Sequence, residues 1–431
     1  MPFKLQKENT FMDMFTENRP GPAISPNRRI MFVASKPFLG GGEYRLIEDA
    51  QYALSTGSWD RVAAAYKFGG DLHGLAQNIE GLERYDVPIE KPRPSLPSLW
   101  GLLKAIRSFQ PDVVVGINSV ASVYCRLVRA ISGRSFVNVF SNHGWHFQHA
   151  ESTSTHSLAS AVRAGILTAV EKLTAPFLDA ATFVSGSDLR TARDMGFHEQ
   201  AELRLIRNGI EASRLDAARD PLPERFARYF EDGPVITCIA RLTPEKGHKT
   251  LISALSMLKA DLPDAALLVI GKGDLREELE QWTETCDLRK GRDVVFTGFL
   301  SRELVDQLHW RSSVSVLPSF VEPWGRVNAE AMLFRTPVVT TDVPGARELV
   351  RDGKDGQLVP PGEPETLARA IRTAIERPPM IDRMVETAQA RVMDKFTLRR
   401  NVQERAEYFE RLRCSRFPAR ERTVSVPAGQ V

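Results

Sequence analysis

Two α/β domains, each built on a doubly wound parallel sheet and facing one another across a cleft, are the architecture predicted for this 431-residue chain, and three observations predict it. The length exceeds what one hydrophobic core covers, so two domains of roughly 200 residues each are expected. Short runs rich in Val, Ile and Phe recur at strand-like intervals, with helical patterns between many of them. That alternation of fully apolar strands with helices is the signature of parallel sheets covered on both faces, where ligands bind at the carboxyl ends of the strands.

The elements follow in order. Residues 1–27 mix charge, Pro and Gly without an apolar centre, so they read as a disordered arm rather than a secretory signal. Strands are expected at 29–34, 113–117, 136–140, 181–184 and 202–206 in a first domain spanning 28–207. The polar, turn-rich stretch 208–234 then gives way to a fresh strand, PVITCIAR, which opens a second domain spanning 208–395. Its strands are expected at 235–240, 265–270, 294–296, 314–317 and 337–340. Residues 396–413 carry aromatic and leucine positions at helical spacing and are expected to pack back toward the first domain, while 414–431 lack periodicity and read as a flexible tail.

Composition excludes several classes. Hydrophobic residues at 42% and charged residues at 26% are ordinary globular values, and a net charge of +3 is small for a nucleic-acid binder of this length. Cys125, Cys238, Cys286 and Cys414 are scattered, with neither a C-x2-C pair nor the density of a disulfide framework, which points to a reducing cytoplasm. The most apolar helix-like stretch, 157–180, is broken by Arg163, Glu171 and Lys172, so no membrane span is expected.

Four regions carry chemistry. In 314–334, which contains VSVLPSFVEPWGRVNAEAM, a strand ends, Pro318 and Pro323 mark a loop, and a helix begins near Gly325. A helix N-terminus at a cleft is an anion site, because its free N–H groups and dipole favour phosphate. Glu322 precedes that helix and Glu330 lies about one and a half turns inside it. Carboxylates repel phosphate, so their partners are sugar or ribose hydroxyls; the alternative for Glu330 is a solvated helix residue. In 238–249, CIARLTPEKGHK, Arg241 and Lys246 follow a strand, where two cations would hold a diphosphate and neutralise it as it leaves. Ordinary surface charges, or pairing with Glu245, are the other reading. FLGGGEY at 38–44 lets backbone approach phosphate or sugar, although it lacks the G-x-G-x-x-G spacing and fits a tight turn as well. SNHGWHFQH at 141–149 gathers three histidines without a carboxylate at zincin spacing, and no D-x-D triplet occurs, so no metal site is expected.

In this order the four regions resemble the retaining glycosyltransferase family 4, whose members share the GT-B fold of two Rossmann-like domains. The likeness covers about 29–410 and is most specific in E-x7-E, Glu322 to Glu330, with the following RTPVVTTDVPGARELVRDGKDGQLVPPGEPETLARAI; ARLTPEKG, FVSGSDLR and IRNGI add to it. The resemblance implies transfer of a hexose-type sugar from a nucleotide diphosphate donor, UDP- or GDP-linked, to a hydroxyl of a glycan, lipid-linked or small-molecule acceptor, with no metal cofactor. It implies that Glu330 binds the donor ribose, that Glu322 contacts the transferred sugar, and that Arg241 and Lys246 clamp the diphosphate. Backbone amides at Arg326, Val327 and Asn328 would add to the phosphate site, and Gly41 and Gly42 would close over it. His143 would stand at the acceptor side, and Gly298 with Phe299 would frame the base. Departures are small: Trp324 stands where Phe is frequent, and Pro344-Gly345-Ala346 replaces a double glycine near Glu348, which bears on the sugar hydroxyls read there.

Between 91 and 134 the chain carries Lys91, Arg93, Lys104, Arg107, Arg126, Arg129 and Arg134 against a single acid, Asp112. PSLWGLLKAIRSF sets Leu99, Trp100, Leu102, Leu103, Ile106 and Phe109 beside Lys104 and Arg107, the makeup of an interfacial helix and equally of a packed surface helix. Peripheral contact with an anionic membrane is thus an expectation of this stretch; nucleic acid is not, since stacking aromatics are not interleaved there. Two other readings stay open: a nucleotide-sugar epimerase-like enzyme on the same architecture, and a catalytically silent binding protein.

Overall fold

The computed structural model describes residues 28–35, 41–89, 95–133, 135–145 and 158–417. The arm at 1–27, Lys91, Arg93, Arg134, His146, His149 and the tail from 418 onward lie outside the described residues. Thirteen strands are present among those described: β1 Arg29–Ala34, β2 Arg61–Tyr66, β3 Leu82–Asp86, β4 Val113–Ile117, β5 Val137–Asn142, β6 Ala180–Phe183, β7 Glu202–Leu205, β8 Val235–Ile239, β9 Ala266–Ile270, β10 Val294–Gly298, β11 Val314–Leu317, β12 Val338–Thr341 and β13 Gln357–Val359.

They form two parallel sheets, a seven-stranded one in the order β3-β2-β1-β4-β5-β6-β7 and a six-stranded one in the order β10-β9-β8-β11-β12-β13. Helices follow most strands, which is what parallel pairing demands of its crossovers. The order reverses between β1 and β4 in the first sheet and between β8 and β11 in the second. Loops leaving the carboxyl ends of neighbouring strands diverge at such a point and leave a crevice for a ligand.

Packing divides the chain into two compact units: Met1–Ser141 with Thr174–Ala181 and Val402–Val431, and Asn142–Leu173 with Thr182–Asn401. The first has a core in which Met31, Val33, Ala63, Ala65 and Val114 meet Leu102, Leu103, Ile106 and Phe109. In the second, Ile236, Cys238, Leu267, Val269, Val314 and Val316 on one face of the sheet meet helix residues such as Leu251, Leu255, Leu367 and Ile371. Within the first unit Arg405 of the Leu398–Arg416 helix forks onto Asp49 of the Gly41–Ser55 helix at 2.9 and 3.0 Å.

Of the four cations of the basic stretch that are described, Arg126 and Arg129 are held by protein partners, whereas Lys104 and Arg107 are exposed. Arg126 is buried, donating to Ser122 O at 3.3 Å and lying 5.9 Å from the centre of the Phe140 ring. Arg129 pairs with Asp179. The Leu96–Phe109 helix, N-capped by Ser95, buries Leu102, Leu103, Ile106 and Phe109 in the core. On its outer face Leu96 and Trp100 are 71% and 64% exposed, and Lys104 and Arg107 are exposed as well. Helical spacing places these four on one stripe.

Candidate functional site

The loops after β8 and β11, the two strands flanking the reversal in the second sheet, bring the strongest sequence candidates together. The loop after β8 runs through Arg241 to Lys246 and turns into the His248–Leu258 helix at Gly247, whose φ is 67°. A side chain there is excluded twice over, since an added Cβ would also lie 2.0 Å from Pro318 O of the neighbouring loop. A backbone bond from Phe320 N to Glu245 O at 2.8 Å ties the two loops.

Lys246 and Glu322 meet at 2.7 Å, each side chain only 11% exposed. Ser319 Oγ also donates to Glu322 Oε2 at 3.4 Å, and Gly325 N donates to Glu322 Oε1 at 2.9 Å. Arg241 donates to Glu245 at 3.0 Å and keeps half of its side chain exposed, so this cation faces solvent and stays available to an anion. His248 is buried, neither ring nitrogen has a hydrogen-bond partner among the described residues, and burial together with Lys246 lowers its pKa to about 4, so it is neutral near pH 7.

The Arg326–Leu333 helix starts at Gly325, and the amides of Arg326 and Val327 have no carbonyl one turn back to bond. Asn328 departs from the expected set: its amide donates to Gly325 O at 2.9 Å, and its side chain is fully buried. Glu330 Oε1 accepts from Arg214 Nη1 at 2.9 Å and from Arg326 Nε at 3.3 Å. Burial alone would raise the carboxyl, but Arg214 and Arg326, with Arg302 and His309, outweigh it and lower the pKa to about 2. Glu330 is therefore an ionised acceptor anchored on one oxygen, not a solvated helix residue.

Other candidates stand apart from these bonds. Gly298, φ 74°, ends β10, and Phe299 beyond it is 41% exposed with Lys272 5.8 Å from its ring centre. His143 lies half-buried just past β5, at a turn where Gly144 N donates to Asn142 Oδ1 at 2.7 Å. Gly41 and Gly42 belong to the first unit, where they open the Gly41–Ser55 helix. Glu348 is occupied by protein: it accepts from the amides of Gly186 and Ser187 at 2.9 Å each and from Arg207 at 3.3 Å, so it caps the Gly186–Asp194 helix instead of standing open to sugar hydroxyls.

Two residues escaped the sequence reading, Arg214 and Asp306. Arg214 Nε donates to Asp306 Oδ2 at 2.9 Å and a second bond joins Nη2 to Oδ1, while Nη1 reaches Glu330. The one trace in sequence is an acid between Val305 and Leu308 on an amphipathic helix, a buried-side position where a carboxylate needs a partner. Among the described residues no group of three or more His, Cys, Asp or Glu is placed to hold a metal ion, and no helix is long and apolar enough to cross a membrane.

Residues 224–391 match the family model described as glycosyl transferases group 1, and residues 56–214 match the one described as Glycosyltransferase Family 4. Alpha-D-kanosaminyltransferase of Streptomyces kanamyceticus is 32% identical over 183 residues, 42% of this chain and 46% of that protein. A GDP-mannose-dependent alpha-(1-6)-phosphatidylinositol monomannoside mannosyltransferase of Mycolicibacterium smegmatis is 32% identical over 208 residues, 46% of this chain and 54% of that protein. The matched segment thus spans about half the length of each relative. Among solved structures, HepE of Anabaena in complex with UDP-glucose superposes with a TM-score of 0.72 at 23% identity, covering 89% of this chain and 99% of that one. At that identity the likeness establishes the fold, GT-B.

Proposed function

This chain belongs to glycosyltransferase family 4, and from that premise we propose that it moves a hexose-type sugar from a UDP- or GDP-linked donor to a hydroxyl of a glycan, lipid-linked or small-molecule acceptor, with retention and without a metal ion. The observation that carries the proposal is the Lys246–Glu322 pair joining the loops after β8 and β11, with Arg241 on the first loop and Arg326 and Glu330 on the helix that leaves the second. The helix N-terminus at Arg326 and Val327 and the cations Arg241 and Lys246 suit a diphosphate. Glu330 suits ribose hydroxyls, and Glu322, steered by Lys246 and the Gly325 amide, suits hydroxyls of the transferred sugar.

In the reaction the bond from the anomeric carbon to the diphosphate oxygen breaks as the acceptor oxygen bonds to the same face. The acceptor proton passes to the departing diphosphate. What the chain's own residues contribute is binding and stabilisation of the charge that grows on the leaving group, strongest in the transition state. His143 would act from the acceptor side, and Gly298 and Phe299 would complete the donor site.

Thermal-shift measurements in EDTA against UDP-, GDP- and ADP-sugars are expected to give one stabilising donor, with a shift that rises with concentration, since a ligand that binds only the native state stabilises it by mass action. Loss of both the shift and sugar transfer on chelation would overturn the metal-free reading. A donor-only incubation separates transfer from epimerisation, because an epimerase would release an altered sugar nucleotide with no acceptor present.

The outer stripe of the Leu96–Phe109 helix supports a peripheral site of action at the cytoplasmic face of a membrane. Leu96 and Trp100 would enter the interface while Lys104 and Arg107 met anionic headgroups. The protein is expected to sediment with phosphatidylserine-containing vesicles at low salt and to be released by about 0.5 M NaCl, where screening shortens to a few ångströms. Trp100→Glu combined with Lys104→Glu should abolish sedimentation; unchanged binding of that variant dismisses this surface.

A further inference from the structure

Glu330 is not held by its own helix alone. It shares a buried cluster of two cations and two anions with Arg326, Arg214 and Asp306; the side chains of Arg214, Asp306 and Glu330 are 6%, 3% and 11% exposed. The three partners come from separate helices, Arg214–Ala217, Arg302–Arg311 and Arg326–Leu333. Asp306 takes the Nε and Nη2 edge of the guanidinium, which fixes its plane, and the remaining nitrogen, Nη1, then falls on Glu330 Oε1. Both bonds to Glu330, from Arg214 and from Arg326, end on Oε1, and among the described residues none is made to Oε2.

We infer that Arg214, locked by Asp306, is the positioning residue that holds Glu330 as an anchored carboxylate and leaves its Oε2 to accept the ribose hydroxyls of the nucleotide. The inference rests on the reading of Glu330 as the ribose acceptor and extends it to two residues far from it in sequence. The chemistry is specific to a guanidinium: a planar fork satisfies one carboxylate with two bonds and still has a donor for a second, which a lysine ammonium cannot do in the same geometry. The charged groups facing Glu330 are Arg214, Arg326 and Arg302, with Asp306 opposing them; His309, whose burial lowers its pKa to about 4, is neutral near pH 7. Removing Arg214 therefore leaves burial less opposed, and the Glu330 carboxyl must titrate at higher pH.

The test is calorimetric titration of the full chain with UDP, GDP and their 2′,3′-dideoxy analogues at pH 5 to 8. The wild type is expected to bind the preferred nucleotide about tenfold or more tighter than its dideoxy form, the scale of hydrogen bonds to a charged acceptor. Glu330→Ala should erase that ratio. Arg214→Gln and Arg214→Lys should each cut it severalfold or more with affinity for the dideoxy nucleotide little changed. In Arg214→Gln the advantage of the ribonucleotide over its dideoxy form should also fall away at higher pH than in the wild type, in which burial raises the pKa of Asp306 to about 6 and makes it the titrating member of the cluster. If Arg214→Gln does not fold, Arg214→Lys, which keeps the charge and loses the fork, decides the matter. A wild type that binds neither nucleotide, or does not distinguish ribose, or a Glu330→Ala variant that still does, sinks the ribose reading and the inference with it. If Glu330→Ala loses the ratio while the folded Arg214 variants keep it at the wild-type value, the ribose reading stands and this inference falls.

Discussion

Replacing Lys246 with alanine is expected to lower kcat/KM by about two to three orders of magnitude, because a close charge pair at a partly screened site is worth about 4 kcal/mol and is needed most as the leaving group gains charge. The ammonium has three donors, and Glu322 takes one of them at 2.7 Å. A sceptical account would give Lys246 no role beyond neutralising Glu322, and a double-mutant cycle separates the two. If pairing were all, Lys246→Ala combined with Glu322→Gln would recover activity, since no buried carboxylate would be left without its cation. If Lys246 grips the diphosphate, the double variant stays as inactive as the single one. Steady-state kinetics on Lys246→Ala, Glu322→Gln and the double variant, with circular dichroism to establish that all three are folded, makes the measurement, recovery being judged against Glu322→Gln alone. Turnover of Lys246→Ala within tenfold of wild type would contradict the site.

Gly345→Ala is the second large effect expected, and its cause is steric. A Cβ at this position would lie 2.0 Å from Glu322 O, 2.3 Å from Pro323 O and 2.5 Å from Pro323 C, all backbone atoms with no flexible side chain to yield. Either the Pro344–Leu349 helix retreats or the loop bearing Glu322 moves. Overpacking of this kind costs about 1–3 kcal/mol, and displacement of a catalytic constellation by about 1 Å costs about a hundredfold in rate. The expected result is a clearly lowered melting temperature with kcat/KM down by about two orders of magnitude. Gly74→Ala is the matched control: it sits in the Gly70–Ala76 helix with nothing within 4 Å of an added Cβ, so stability and rate should hold. Wild-type kinetics in Gly345→Ala would mean that the loop tolerates displacement and that Glu322 does not need its present position.

Much of the fold was legible because parallel strands buried on both faces must be apolar throughout. β1, β4, β8, β9, β11 and β12 are short Val- and Ile-rich runs that announce themselves. Three strands were missed. β2 reads RVAAAY, and three alanines in a row signal helix by propensity, yet the strand is buried along five of its six residues because alanine suits a sheet face pressed by helices. β3, LERYD, and β13, QLV, are sheet edges, one alternating in burial and the other three residues long, where the apolar demand lapses.

By itself the sequence determined the architecture and the local half of the candidate site: residues that lie within one strand-loop-helix unit, such as Glu322, Gly325 and Glu330, leave their spacing in the chain, since helix geometry ties position to distance. Tertiary structure alone decided what those residues lean on. Asp306 and Glu330 meet Arg214 from 92 and 116 positions away, Arg126 and Arg129 turned inward from a stretch that looked like a basic surface, and Glu348 capped a helix begun 162 residues earlier. No periodicity encodes such encounters, because a buried charge finds its counter-ion through space, wherever the packing of separate helices happens to bring one within reach.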